Sequence, residues 1–164
     1  MCKESTSLSI DISIPNQTLT LCINGVPSLC YRVSTALNGP GESENSGCTP
    51  RGYHIIRAAI GKNEPVNSVF IARRPTGEIF SERLAELYPQ RDWILSRILW
   101  LSGCEPGINR LGNVDTMRRY IYIHGTPDSE PMGLALSHGC IRMKNNDIVD
   151  LFDRITLGVS VCIS

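Results

Sequence analysis

The sequence predicts a mainly-β α+β domain, and three observations carry that reading. Residues 8–14 alternate apolar and polar without a break, the mark of a strand with one buried face. Residues 18–23 alternate again and run into Asn24-Gly25, a dipeptide suited to the positive φ of a tight hairpin turn. Near the other end, Ile148, Leu151, Phe152 and Ile155 fall in one stripe at helical spacing, which predicts an amphipathic helix.

The elements follow in chain order. Residues 8–14, 18–23 and 28–34 read as a three-stranded meander, with turns at Pro15-Asn16 and Asn24-Gly25. Residues 37–50, rich in Gly, Ser, Asn and Glu, read as a loop. Residues 52–60 return to strand character, with Tyr53, Ile55 and Ala59 on one face. Residues 66–72 form a further short strand, Pro75-Thr76-Gly77-Glu78 a turn, and residues 82–88 a short helix or an irregular segment. Over 92–102, Trp93, Ile94, Leu95, Ile98, Leu99, Trp100 and Leu101 recur at i, i+3, i+4. That predicts a buried helix, with Asp92 near its start and Gly103 past its end. After a loop over 104–115, residues 119–124 read as a strand with Tyr120, Tyr122 and His124 on one face. A loop over 125–136 follows. Asn145 or Asn146 caps a helix over 147–155, and residues 157–163 close the fold as a strand after a turn at Gly158.

With 164 residues the chain is expected to be one domain over 1–164, long enough to bury about two-thirds of its unfolded surface. Hydrophobic residues make up 41% and charged ones 20%, as in ordinary globular proteins. Lys+Arg and Asp+Glu stand at 16 each, which gives no electrostatic footing for nucleic acid or a polybasic membrane contact. No apolar run approaches the roughly 20 residues of a membrane span. Residues 1–7 show no basic segment followed by an apolar one, so no secretory signal is read. The seven cysteines are an odd, scattered set with no CxxC pair, which argues against a zinc ribbon or a thioredoxin-like site. Cys22, Cys30 and Cys162 sit in apolar strand-like runs and read as small buried hydrophobes; Cys104, in a polar loop, is given no role. So many thiols favour a reducing compartment. A cytoplasmic location is expected, or a periplasmic one if a signal was removed from a longer precursor.

The chemistry concentrates in Ser137-His138-Gly139-Cys140-Ile141-Arg142-Met143, together with His124-Gly125-Thr126 upstream. A cysteine nucleophile needs a nearby imidazole, because the thiolate attacks and a free thiol has a pKa of about 8.5. It also needs donors for the oxyanion formed on the attacked carbonyl. A glycine before the nucleophile lets backbone N–H groups turn towards that oxygen.

The order His-Gly-Thr, Ser-His-Gly-Cys-Ile-Arg-Met and then Lys144-Asn145-Asn146-Asp147 resembles the active-site signature of the YkuD-type L,D-transpeptidases. The likeness is closest over residues 120–164, and Thr49-Pro50-Arg51-Gly52-Tyr53 resembles the family's Thr-Pro-x-Gly-aromatic segment. The resemblance implies a β-sandwich or open barrel with the cysteine in a cleft and a helix over one face. It implies Cys140 as nucleophile and His124 as the base that takes the thiol proton and later protonates the leaving amine, a thiolate–imidazolium pair lowering the thiol pKa. The Gly125 carbonyl would orient that imidazole. Gly139 and Cys140 would offer N–H groups to the oxyanion, and His138 would stand near the oxyanion and the substrate. Ser137, on the substrate side, is read as bonding the turn rather than reacting. Arg142 either pairs with a substrate carboxylate or locks the loop through Asp147 or carbonyls. Tyr122 either lines the cleft beside His124 or packs within the strand. His54 is read as structural.

The substrate class the resemblance implies is peptidoglycan stem peptides or soluble muropeptides. Cys140 would attack at the L-centre of meso-diaminopimelate, releasing D-alanine and leaving a thioester. An amine acceptor then gives a 3→3 cross-link, and water gives a tripeptide. The reducing compartment favours water, hence L,D-carboxypeptidase action in muropeptide recycling. No cofactor is expected, and a carbapenem is expected to acylate Cys140. Two rivals stand beside this reading. One is a zinc site built from His124, His138 and Cys140, whose spacing fits no common finger; the other is a peptide-binding module that keeps the fold without the chemistry.

Overall fold

The computed structural model describes residues 7–164. Residues 1–6, which hold Cys2 and most of the stretch read for an export signal, lie outside them. Strands β1 (Leu8–Ser13), β2 (Thr18–Ile23) and β3 (Val26–Arg32) form the expected antiparallel meander. Asn24 and Gly25 take φ of 52° and 75°, the two left-handed residues that a two-residue hairpin requires. β3 lies at the sheet edge, where its Pro27 is tolerated. Cys22 is buried as expected, but Cys30 is exposed on this edge strand and Cys162 is half-buried.

Strand β4 (Gly52–Ile60) matches its expected bounds, but His54 and Ile56 face inward while Tyr53 and Arg57 are exposed. β5 (Ser68–Ile71) and β6 (Arg74–Ile79) form a hairpin. Its turn is Ala72-Arg73, at φ of 47° and 65°. Pro75 to Glu78, read as a turn, therefore lie inside β6, because the Ile71–Arg74 pairing leaves only two residues for the loop. The short helix α1 (Glu82–Leu87) starts at Ser81, whose Oγ accepts the Leu84 N–H at 3.2 Å.

The helix expected over 92–102 is a strand, β7 (Ile94–Gly103). It is buried on both faces, so its apolar residues run together and lose the alternation that marks a strand. A bulge between Leu95 and Ile98, with Ser96 at φ of 67°, breaks the pattern further. β7 is the hub of the sheet: β4 and β5 pair along one edge and β8 (Tyr122–Gly125) along the other. β9 (Ile141–Met143) runs parallel to β8, and β10 (Ser160–Ile163) lies between β1 and β4. The result is one open mixed sheet in the order β3-β2-β1-β10-β4-β7-β5-β6, with β8 and β9 branching from β7.

Helix α2 (Asn145–Arg154) covers one face of the sheet, burying Ile148, Leu151 and Phe152 in a core shared with Leu99, Leu101, Ile123 and Ile141. It starts two residues before the expected position. Asn145 does not cap it. Its buried side chain staples three segments instead, Nδ2 donating to the Thr126 carbonyl at 2.8 Å and Oδ1 accepting from Ser96 Oγ at 2.5 Å. β8 begins at Tyr122 rather than at Arg119, because a turn closed by the Arg119 N–H to the Asp115 carbonyl occupies the preceding residues. No helix among the described residues is long and apolar enough to cross a membrane.

Candidate active site

The parallel pair β8–β9 aligns Ile123 with Ile141 and His124 with Arg142. Cys140, one residue before β9, therefore stands beside Tyr122, and His124 lies two residues further along the neighbouring strand on the same face. With strands roughly 4.8 Å apart and side chains repeating every second residue, thiol and imidazole face one space. They share a cavity of about 140 Å³ with Asp92, Arg119, His138 and Arg142.

His124 is buried, and its Nδ1 lies 2.7 Å from the Gly125 carbonyl oxygen. A carbonyl only accepts, so Nδ1 carries the proton and Nε2 is the basic nitrogen left for the cavity. Burial lowers the imidazole pKa, because a charged ring would lose its hydration. The Cys140 thiol is pushed up to about 12, again mainly by burial and against the Tyr122 N–H that favours the thiolate. Burial thus works against the charged form of each partner, the thiolate and the imidazolium alike. The sulfur's hydrogen bonds agree. Sγ accepts the Tyr122 N–H at 3.3 Å and donates to the Tyr120 carbonyl at 3.4 Å. Its proton is held on a peptide oxygen rather than on His124.

The turn before Cys140 is fixed from several sides. Ser137 is buried; its Oγ donates to the Cys140 carbonyl at 2.5 Å and accepts the Gly139 N–H at 3.2 Å. Ser137 therefore bonds the turn, and the Gly139 N–H, expected as an oxyanion donor, is already engaged. Gly139 sits at φ of 134°, and a Cβ there would meet Ile121 Cδ1 at 3.2 Å and the Cys48 carbonyl oxygen at 3.3 Å, so only glycine fits without strain. Thr49 Oγ1 donates to the Gly139 carbonyl at 2.9 Å while accepting the Ala36 N–H at 3.0 Å. The Thr-Pro-x-Gly segment is thereby tied to the cysteine turn. His138 is exposed beside the cavity.

Arg142 pairs with Asp92 at 3.3 Å and reaches the Leu136 carbonyl at 3.5 Å. Its acidic partner is Asp92, not Asp147, since Asp147 sits on α2. The Tyr122 ring does not line the cavity. It is buried against Trp100 at a centroid distance of 5.8 Å, and its hydroxyl accepts from Arg73; what it presents to Cys140 is its backbone N–H. His54 is structural, with Nδ1 on the Gly52 carbonyl at 3.0 Å and Nε2 on Thr116 Oγ1 at 3.0 Å. Sequence reasoning missed Asp92, Arg119 and Arg73. Arg119 donates to the Gly41, Glu42 and Cys48 carbonyls and so holds the 41–48 loop against the site. Among the described residues, no three His, Cys, Asp or Glu side chains are grouped to hold a metal ion.

The family follows from comparison. The model of the YkuD family, the L,D-transpeptidase catalytic domain, matches residues 7–163, and the chain belongs to that family. The probable L,D-transpeptidase YbiS of Escherichia coli K12 is 44% identical over 43 residues, which are 26% of this chain and 14% of that protein. An L,D-transpeptidase from Mycobacterium smegmatis superposes with a TM-score of 0.61 at 17% identity, covering 98% of this chain and 59% of that one. L,D-transpeptidase 3 of Mycobacterium tuberculosis, solved in complex with a faropenem-derived adduct, gives a TM-score of 0.59 at 16% identity, covering 98% and 61%. This chain thus covers less than two-thirds of the length of each of these three proteins.

Proposed function

We propose that this protein is a cysteine-dependent acyltransferase on peptidoglycan stem tetrapeptides, with Cys140 as nucleophile and His124 as base. One observation carries the reading: Cys140 and His124 face one cavity from adjacent parallel strands, and the Gly125 carbonyl fixes the tautomer that leaves Nε2 basic. On substrate binding the thiol proton passes from the Tyr120 carbonyl side to His124 Nε2 as Sγ attacks the carbonyl carbon at the L-centre of meso-diaminopimelate. Burial disfavours charge on both groups, and the attack supplies it as the bond forms. The C–N bond to D-alanine breaks, its nitrogen takes the proton from His124, and a thioester remains. The Cys140 N–H is the oxyanion donor; the Gly139 N–H joins only by leaving Ser137. His138, exposed beside the cavity, is the proposed substrate contact.

Water is the preferred acceptor, which makes the activity L,D-carboxypeptidase action on muropeptides in the cytoplasm. The odd and scattered set of seven cysteines in the sequence is the ground for a reducing compartment. A second reading, 3→3 cross-linking, is favoured by two larger cavities of about 310 and 430 Å³ that adjoin the site and share His138, room for a second peptide. Incubating the protein with disaccharide tetrapeptide and weighing the products separates them. Tripeptide plus D-alanine is expected, and none from Cys140→Ala. Dimers without tripeptide would assign the amine acceptor. Turnover by Cys140→Ala equal to that of the unchanged protein would remove the mechanism.

A further inference from the structure

The two backbone groups that hold the Cys140 sulfur belong to Tyr120 and Tyr122, and a single side chain from elsewhere in the fold grips both residues. Arg73 stands at the tip of the β5–β6 hairpin. Its guanidinium carbon lies 4.8 Å from the ring centroids of both Trp100 and Tyr120, within cation–π range. Its Nη1 donates to the Tyr122 hydroxyl at 3.0 Å. Trp100 is itself fixed, its indole N–H donating to the Met117 carbonyl at 3.1 Å.

The backbone on both sides of this grip sits in left-handed conformation. Ala72 and Arg73 lie at φ of 47° and 65°, and Tyr120 at 57°. Such conformations are disfavoured for side-chain-bearing residues and persist where surrounding contacts hold them. The consequence of the twist at Tyr120 is that its carbonyl oxygen faces Sγ at 3.4 Å, while two residues on the Tyr122 N–H meets the same sulfur at 3.3 Å. The two contacts act in opposite senses: the carbonyl holds the protonated thiol, and the N–H favours the thiolate.

We propose that Arg73 is a positioning residue for the nucleophile, clamping Tyr120 and Tyr122 so that their carbonyl and N–H keep the sulfur aimed until substrate arrives. The proposal rests on the assignment of Cys140 as nucleophile. Arg73 touches neither the sulfur nor the cavity; it acts through the two tyrosines. The groups that face Cys140 directly are Asp92, Arg119, His124, His138 and Arg142 around the cavity and the Tyr120–Tyr122 segment behind it. Replacing Arg73 leaves all of them in the chain, so a change in the thiol's titration reports on the clamp.

The test is iodoacetamide alkylation of Cys140 in the full chain across pH, followed by peptide mass mapping, for the unchanged protein and for Arg73→Ala, Arg73→Lys and Tyr122→Phe. Circular dichroism melts accompany each variant. Release of the clamp loosens the Tyr120 carbonyl that holds the protonated thiol, so in Arg73→Ala the alkylation midpoint falls by about one pH unit or more towards the ordinary thiol value. Tyr122→Phe, which loses only the hydroxyl contact, moves it in the same direction by a smaller amount. Arg73→Lys keeps the cation over the rings and recovers part of the shift. With tetrapeptide, kcat falls at least about tenfold in Arg73→Ala with KM little changed, as misaiming by a fraction of an ångström predicts. Midpoints in Arg73→Ala and Tyr122→Phe equal to that of the unchanged protein would overturn the proposal, whether or not the melts shift. Turnover that survives Cys140→Ala would instead overturn the nucleophile assignment, a distinct result.

Discussion

His54 and His124 are two buried histidines built almost alike, and they differ in what their second nitrogen meets. Each places Nδ1 on a glycine carbonyl, Gly52 at 3.0 Å and Gly125 at 2.7 Å. Each has its pKa lowered, chiefly by burial. At His54 the second nitrogen is also taken, by Thr116 Oγ1 at 3.0 Å. At His124 the second nitrogen has no hydrogen-bond partner among the described residues, and the residue lines the cavity that holds Cys140. Burial and a fixed tautomer are therefore common to both. The role of base proposed for His124 needs a nitrogen left without a partner and a proton source within reach of it.

The largest test of that contrast is catalytic. His124→Gln should lower tetrapeptide turnover by about 10²–10⁴-fold, the range for removing a general base, while the protein still melts cooperatively. His54→Gln should leave kcat within about twofold. Equal losses in the two variants would erase the distinction.

Stability should reverse the order. His54→Ala strands the Gly52 carbonyl and the Thr116 hydroxyl, both bonded in the folded chain, and should cost about 1–3 kcal/mol. A calorimetric melt would read this as a fall of about 2–4 °C per kcal/mol for a chain of this size.

Acid sharpens the same comparison. Both imidazoles have folded pKa values below the unfolded value of about 6.5. Below that pH the unfolded chain binds protons that the folded chain refuses, so these groups lower stability as pH falls from about 6.5 towards the folded pKa and have no effect above it. Urea unfolding at pH 7.5 and at pH 5 should show the loss, and His54→Gln should remove part of it. Stability that rises on acidification through this window would contradict the sign.

The smallest effect belongs to the Asp92–Arg142 pair. The Asp92 side chain is 55% exposed, so solvent screens the pair and Asp92→Asn should cost less than about 1 kcal/mol. The expected KM is unchanged within about twofold, with Arg142 holding the loop through the Leu136 carbonyl. A KM several-fold lower would assign the freed guanidinium to a substrate carboxylate.

Much of this was legible in the chain, for particular reasons. The meander over β1–β3 showed itself because each strand has one wet face and its turn carries Asn-Gly. β4 kept its bounds because glycine and polar loops flank it. β7 was misread as a helix because both its faces are dry, which erases the period of two, and because a bulge at Ser96 leaves spacings that mimic a helical stripe. Within the site, the order His-Gly followed by Ser-His-Gly-Cys pointed to the family, and the Thr-Pro-x-Gly segment held a signal for Thr49 whose use, the bond to the Gly139 carbonyl, appears only in three dimensions. Asp92 and Arg73 had no such signal. Each meets the site through a contact that spans about fifty residues of chain, Asp92 with Arg142 and Arg73 with Tyr122. The engaged Gly139 N–H was equally invisible, because a serine two residues earlier can point either way.

The most direct measurement of the central claim, that Cys140 and His124 act as one unit, is the intact mass of the protein after exposure to a carbapenem, followed over time for the unchanged chain, Cys140→Ala and His124→Gln. The unchanged protein should gain one carbapenem mass, mapped to the peptide bearing Cys140; Cys140→Ala should gain none, and His124→Gln should acylate at least about a hundredfold more slowly. An adduct on another residue, or acylation at full rate without His124, would contradict the account.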